Sequence, residues 1–248
     1  NWKEGYGYTV ATEMYSAGID RLTHQPLSFS VSETTEGVHI HIIDAELMGK
    51  GEKEKKDLYI EGVQNNGIIN HYEYIINSEG TIEIRHVLKP EGKMPLWFPR
   101  IGLTLTVSDA LDQVKWYGRG PQENYPDRKT GYPTRIYAST VQAMYEPYLM
   151  PQDYGLRTDV RWLQLTTDKG IGLQFKMNEW FNFNIYPYST DNLTKAMYTY
   201  QLQKQKGMTL NLDYATTGVG CTARGVFGAY KAMPQEYRRT ISIKPMMK

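Results

Sequence analysis

An all-β fold, built as a large two-sheet antiparallel sandwich, is what this 248-residue sequence predicts. Three observations carry that expectation. Apolar and polar residues alternate with a period of two along much of the chain, turn-forming residues punctuate the alternation, and a single short segment reads as helix. The aromatic supply fits as well: 20 Tyr, 6 Phe and 5 Trp are side chains that cover a pleated surface and offer a polar group at its edge.

Taken in order, Val38, Ile40 and Ile42 point to one face of a strand and His39 and His41 to the other. Asn66-Gly67, between residues 58–63 and 68–76, tolerates the positive φ angles of a type I′ hairpin turn. Asn77-Ser78-Glu79-Gly80 is a second hairpin loop, followed by the alternating residues 81–87. Ile101, Leu103, Leu105 and Val107 alternate with small or polar neighbours, and Asp168-Lys169-Gly170 marks another turn. Residues 191–197 are the predicted helix, with Thr190 or Asp191 as its N-cap. Residues 209–214 and 240–243 return to the strand period. With no internal repeat and no linker composition, residues 1–248 read as one domain.

Charge and cysteine content narrow the function classes. A net charge of +1 and a mean hydropathy of −0.55 give no basic footprint for nucleic acid. No run approaches the roughly 20 apolar residues of a membrane helix. The mixed-sign run at residues 50–56 reads as a solvated loop. A lone Cys221 excludes an internal disulfide framework and a cysteine-rich metal site, and it reads as a small buried hydrophobe. The chain opens at Asn1 without a secretory pattern in residues 1–18 and is read as a segment of a longer one, so its compartment, cytoplasmic or periplasmic, stays open.

The strand pattern breaks between residues 118 and 161. Gly120-Pro121-Gln122-Glu123-Asn124-Tyr125-Pro126-Asp127-Arg128 is too rich in Gly and Pro for helix or strand. A loop this dense in hydrogen-bonding side chains stays ordered only when those groups are satisfied, so Glu123, Asn124, Asp127 and Arg128 are expected to form a structural network. Tyr145-Glu146-Pro147-Tyr148, then Gly155-Leu156-Arg157, follow it. Arg119 and Arg128 flank the two carboxylates and are expected to pair with them, and Asp153 and Asp159 to pair with Arg157 and Arg161.

The nine-residue run resembles, letter for letter, a motif in the C-terminal small-chain domain of family 2 β-galactosidases. Tyr145–Tyr148 and Gly155–Arg157 follow at that family's spacing. Tyr15-Ser16-Ala17-Gly18, Leu210-Asn211-Leu212-Asp213 and Gly218-Val219-Gly220 are similar to its other blocks, so the resemblance covers nearly the whole chain. It implies a galactose mutarotase-like super-sandwich, and a parent enzyme that hydrolyses terminal non-reducing β-D-galactosides. It also implies that the catalytic glutamates lie in a separate (β/α)8 barrel within the same polypeptide. Any Mg or Na would belong to that barrel, with no cofactor and no metal in this segment, and the parent is expected to be a homo-oligomer. The segment has no eight-fold strand–helix alternation, so no catalytic residue is assigned to it and the chain alone is expected to be inactive.

The family's loop after Gly-x-Gly carries a tryptophan facing the aglycone sugar. Here the corresponding stretch is Cys221-Thr222-Ala223-Arg224-Gly225, which departs from that pattern. Thr222, Arg224 and Gly225 are therefore the candidate substrate-side residues, with Arg224 replacing an apolar platform by a hydrogen-bonding one; an exposed loop arginine without a ligand is the alternative. Trp97, Trp116, Trp162 and Trp180 are weighed as sugar platforms, with Trp162, alternating with Val160 and Gln164, placed in the core or at a domain interface. His39 and His41 share a face that suits zinc, but no third ligand lies nearby in sequence, so they are read as solvent-facing. Two other functions are carried along: an aldose 1-epimerase, whose acid/base pair commonly includes a histidine, and a free-standing carbohydrate-binding module. All five histidines precede residue 87.

Overall fold

The structure, a computed structural model, describes residues 14, 17–48, 66–220 and 225–247. Among them the fold is all-β and antiparallel, with little helix. Two compact units form, one holding residues up to 98 together with 232–242, the other residues 99–231 and 243–248.

In the N-terminal unit, β1 (Thr23–Thr34), β2 (Gly37–Leu47), β3 (Gly67–Ile76) and β4 (Ile82–Glu91) form an antiparallel meander in that order. The register converts the sequence alternation into two faces. Phe29 and Val31 lie opposite Ile42 and Ile40, which lie opposite Tyr72 and Tyr74, which lie opposite His86 and Ile84. The other face carries Ser30 and Ser32, His41 and His39, then Glu73 and Arg85. The Asn77–Gly80 loop forms as expected: the Asn77 side chain accepts from the amides of Glu79 and Thr81, both at 3.0 Å. Residues 58–63, expected as a strand before Asn66-Gly67, lie outside the described residues, as does the charged run 50–56. Both edges of β3 are taken by β2 and β4.

The C-terminal unit comprises β5 (Arg100–Val107), β6 (Gln113–Arg119), β7 (Thr134–Thr140), β8 (Arg157–Thr166), β9 (Gly172–Tyr186) and β10 (Met208–Thr216), with α1 (Thr190–Lys195) between β9 and β10. Hydrogen-bonded order runs β5-β10-β9-β8-β6-β7. The last strand is β11 (Tyr237–Met246), whose residues 237–242 belong to the N-terminal unit, where it pairs with β4. Trp116, Leu163, Leu165, Phe175, Phe181, Phe183, Leu210 and Leu212 are each at most 2% exposed. Side chains of this size stabilise a fold by roughly 1.5–3 kcal/mol each. The Trp116 indole donates to the Arg119 carbonyl at 2.9 Å, so the largest core ring also fixes the start of the motif loop.

Two local expectations are corrected. The helix cap is Ser189, one residue earlier than anticipated, whose extended backbone lets its hydroxyl accept from the Asn192 amide at 3.0 Å. In β8 the register slips at Val160, beside Asp159 at φ 55°. Such a bulge shifts the side-chain alternation by one. Val160 is buried, and after the bulge Leu163 and Leu165 fill the interior while Trp162 and Gln164 stay half-buried on the other face.

Candidate functional site

The motif loop leaves β6 at Arg119 and is held by groups from three other segments of the C-terminal unit. Glu123 accepts from the Gly155 amide at 2.8 Å and the Tyr125 hydroxyl at 3.1 Å, and is in close contact with the Tyr148 hydroxyl. That single carboxylate joins the Tyr145–Tyr148 and Gly155–Arg157 blocks to the nine-residue run. Burial, and the adjoining Glu123 charge, raise the phenols of Tyr125 and Tyr148 above their ordinary range, keeping them donors.

Asn124, 1% exposed, replaces a strand partner at the start of β8. Its side-chain oxygen accepts from the Thr158 amide at 3.1 Å and the Thr158 hydroxyl at 2.5 Å. Its own amide donates to the Leu156 carbonyl at 2.8 Å, and its side-chain nitrogen to Gln122 at 3.1 Å. Its backbone amide and both side-chain polar atoms are used, as a buried amide requires.

Asp127 reaches the segment after β10. Its two carboxylate oxygens accept from the consecutive amides of Val219, at 3.1 Å, and Gly220, at 2.6 Å. Successive N–H groups aimed at one point form an anion-binding concavity. Arg128 completes the clasp by donating from Nη2 to the Gly220 carbonyl at 2.8 Å. Both glycines of Gly218-Val219-Gly220 are explained by close approach. A Cβ on Gly218 would stand 2.5 Å from the Asp127 carboxyl carbon, and one on Gly220 would stand 2.5 Å from the Gly225 carbonyl oxygen. Gly220 and Gly225 both take positive φ, 64° and 63°. Of the expected substrate-side residues, Gly225 is exposed, while Thr222, Arg224 and the neighbouring Cys221 lie outside the described residues.

The charge pairing differs from expectation. Among the described residues no ion pair forms to Glu123 or Asp127, whose partners are neutral amides and hydroxyls. Arg119 instead pairs with Asp159 at 2.5 Å, as does Lys129. Burial works to raise the Asp159 carboxyl, but these two cations outweigh it and hold the pKa below its ordinary value. Arg157 is 3% exposed and donates to the Gly155 carbonyl at 2.8 Å. Its burial lowers its pKa to about 10. Arg161 lies over the Trp180 ring at 3.9 Å, so the exposed Trp180 face carries a cation.

A second polar cluster, which takes Asn211 and Asp213 from the 210–213 block, lies where β5, β9 and β10 pair. Arg100 Nη2 stands 2.9 Å from Asp213 and 3.5 Å from Asp153. Asn184 donates to Asp153 and to the Tyr154 carbonyl, both at 2.9 Å, while its oxygen accepts from Asn211 at 2.8 Å. Asp213 is 1% exposed, and burial pushes its pKa up to about 6 against the opposing charge of Arg100. The cross-strand register assembles it: Asn184 opposes Asn211, and Asp213 opposes Gly102. In this unit Trp116 is core and Trp180 is 60% exposed; in the N-terminal unit Trp97 is 5% exposed.

Comparison with known proteins follows from these features. Residues 10–243 match the family model described as beta galactosidase small chain. A beta-galactosidase of Priestia megaterium is 38% identical over 147 residues, which is 59% of this chain and 14% of that protein. A beta-galactosidase of Vibrio cholerae serotype O1 is 30% identical over 207 residues, covering 83% of this chain and 18% of that protein. The chain therefore spans less than a fifth of the length of these curated relatives. Among solved structures, galactose 1-epimerase from Lactobacillus acidophilus NCFM aligns with a TM-score of 0.43 at 9% identity, over 91% of this chain and 66% of that one.

Proposed function

Because the chain belongs to the beta galactosidase small chain family, we propose that it is the accessory β-sandwich domain of a longer β-galactosidase acting on terminal non-reducing β-D-galactosides. Its task in that enzyme is to present the 221–224 loop at the aglycone side of an active site whose catalytic carboxylates lie in another domain of the same polypeptide. One observation carries this reading: Asp127 and Arg128 of the nine-residue motif grip both the amide and the carbonyl of Gly220, the root of that loop. A motif spent on anchoring a loop points to a loop whose position matters.

The carboxylates of this chain suit support better than hydrolysis. A retaining glycosidase needs two carboxyl groups roughly 5–5.5 Å apart, one nucleophilic and one proton-donating. Glu123 is engaged by three donors, Asp127 by two amides, and Asp213 by Arg100 and Thr216. Each would have to give up its partners to meet a sugar.

The test is hydrolysis of an aryl β-galactoside and of lactose by the whole polypeptide, by the 248-residue chain alone, and by the polypeptide lacking this chain. The reading expects turnover from the whole polypeptide only. Turnover of about 1 per second or more by the isolated chain, or full activity without it, overturns the accessory role.

A further inference from the structure

We infer that His39, His41 and Glu73 form a binding site for a divalent transition metal, zinc by the chemistry of its ligands, on the polar face of the N-terminal unit. The sequence offers only the His-x-His pair. The fold supplies the third group, because β3 runs antiparallel to β2 with Glu73 directly opposite His41. One ligand atom from each residue lies within 4.8 Å of the others. His39 Nδ1 stands 3.4 Å from Glu73 Oε1, and His41 Nε2 stands 4.0 Å from the same oxygen. Ligand atoms about 2.0–2.2 Å from a tetrahedral zinc are about 3.4 Å from one another, so small rotations of the half-exposed His41 ring close the set. Three protein ligands of this kind leave a fourth position for water or an exogenous group.

The second observation is the setting of the His39 ring. The His39 side chain is 12% exposed and lies between two carboxylates: Glu73 faces Nδ1, and Glu36 Oε2 is 4.0 Å from Nε2. His39 Nε2 is buried without a hydrogen-bond partner among the described residues. A neutral imidazole has one N–H, so one of its nitrogens must turn a lone pair toward a carboxylate. With the metal on Nδ1, that lone pair binds the cation, and the remaining Nε2–H donates toward Glu36. A small turn of the exposed Glu36 side chain, now 4.0 Å from Nε2, would complete the carboxylate–histidine–metal arrangement that orients metal-bound imidazoles.

Glu73 is prepared in the same way. Arg85 Nη1 holds its Oε2 at 3.1 Å, leaving Oε1 for the ion, and Glu83 holds Arg85 Nε at 2.8 Å. Glu36, Glu73 and Glu83 against Arg85 leave two negative charges, which a divalent cation cancels. A second cluster on the same sheet, His24 with Asp44 and Glu46, has one imidazole that is 66% exposed. It therefore serves as the internal control.

The experiment is calorimetric titration of the metal-free 248-residue chain with zinc chloride at neutral pH, repeated with H41A, E73Q and H24A. Cobalt(II) absorption then reports the coordination geometry. His41 and Glu73 are partly exposed, so these variants are expected to fold, and far-UV circular dichroism checks that they do. One zinc per chain is expected, with affinity reduced at least tenfold in H41A and E73Q and unchanged in H24A, and a four-coordinate cobalt spectrum. The proposal is overturned by an absence of saturable binding at micromolar zinc. It is equally overturned by binding that survives H41A and E73Q, or by binding lost in H24A, which would place the ion at the other cluster. None of these outcomes bears on the proposed role of residues 221–224, which lie in the C-terminal unit.

Discussion

Asp127 Oδ2 lies 2.6 Å from the amide nitrogen of Gly220, a contact that spans 93 residues of chain. It joins the motif loop after β6 to the segment that follows β10. The other oxygen takes the Val219 amide, so one side chain orders two consecutive peptides. Gly225 lies close to Gly220, so that a Cβ on Gly220 would stand 2.5 Å from its carbonyl oxygen.

Replacing Asp127 by alanine removes the acceptor from two amides and should lower unfolding free energy by about 1–3 kcal/mol. Asp127→Asn keeps one acceptor oxygen and turns an NH2 toward the other amide, so its loss should also be marked. Urea unfolding monitored by tryptophan fluorescence checks both. A midpoint unchanged in Asp127→Ala would show that water replaces the carboxylate without cost.

Gly218→Ala should destabilise through the same contact. Its new Cβ would fall 2.5 Å from the Asp127 carboxyl carbon, and that carboxylate cannot withdraw without releasing Val219 and Gly220. The two substitutions should therefore be strongly non-additive: with Asp127 already alanine, adding Gly218→Ala should cost little further. Additive losses in a double-mutant cycle would place the Gly218 requirement elsewhere.

The elements legible in the sequence were those whose side chains alternate without interruption. Val38, Ile40 and Ile42 marked β2, and Leu210 and Leu212 marked β10, through their period of two, but β10 is not polar on an outer face: Thr209, Asn211 and Asp213 are buried along with the leucines. Of the two placements expected for Trp162, the core one fails because the bulge at Val160 shifts the period by one, and nothing in the local composition announces that Asp159 takes a positive φ. The motif loop was recognisable as ordered, but not its partners. Arg119 and Arg128 adjoin Glu123 and Asp127 in sequence, yet chain folding offers the carboxylates amides and hydroxyls, and gives Arg119 to Asp159. Glu73, Asp213 and Arg100 were missed for one reason: their partners arrive by cross-strand register, which a single sequence does not state.

The Arg100–Asp213 pair predicts a pH dependence of stability. Burial raises the Asp213 pKa in the folded protein to about 6, against about 3.9 when unfolded. A carboxyl whose folded pKa is raised contributes stability that is fully present below about pH 4 and lost as pH rises through about 6. Two units correspond to at most about 3 kcal/mol. Asp213→Asn cannot titrate, so between pH 4 and 7 the wild-type chain should lose stability relative to this variant. Parallel stability curves for the two proteins would refute the assignment.

The remaining prediction concerns Arg224, four residues after the Gly220 that Asp127 and Arg128 hold. In the resembled family an indole at this loop stacks on the aglycone, whereas a guanidinium offers forked hydrogen bonds suited to hydroxyl or anionic groups. The whole enzyme should then favour a polar or charged aglycone over plain lactose. Losing one charged hydrogen bond costs about 1.5–3 kcal/mol, so Arg224→Ala should lower kcat/KM on such an extended galactoside roughly 10- to 100-fold. A small aryl galactoside, whose leaving group does not reach the loop, should change by less than about twofold. Asp127→Ala acts only through the loop's position, so it should reproduce the same split more weakly and add little to Arg224→Ala. Equal losses on both substrates, or none on either, would make Arg224 a bystander and leave the Asp127 clasp a purely structural device.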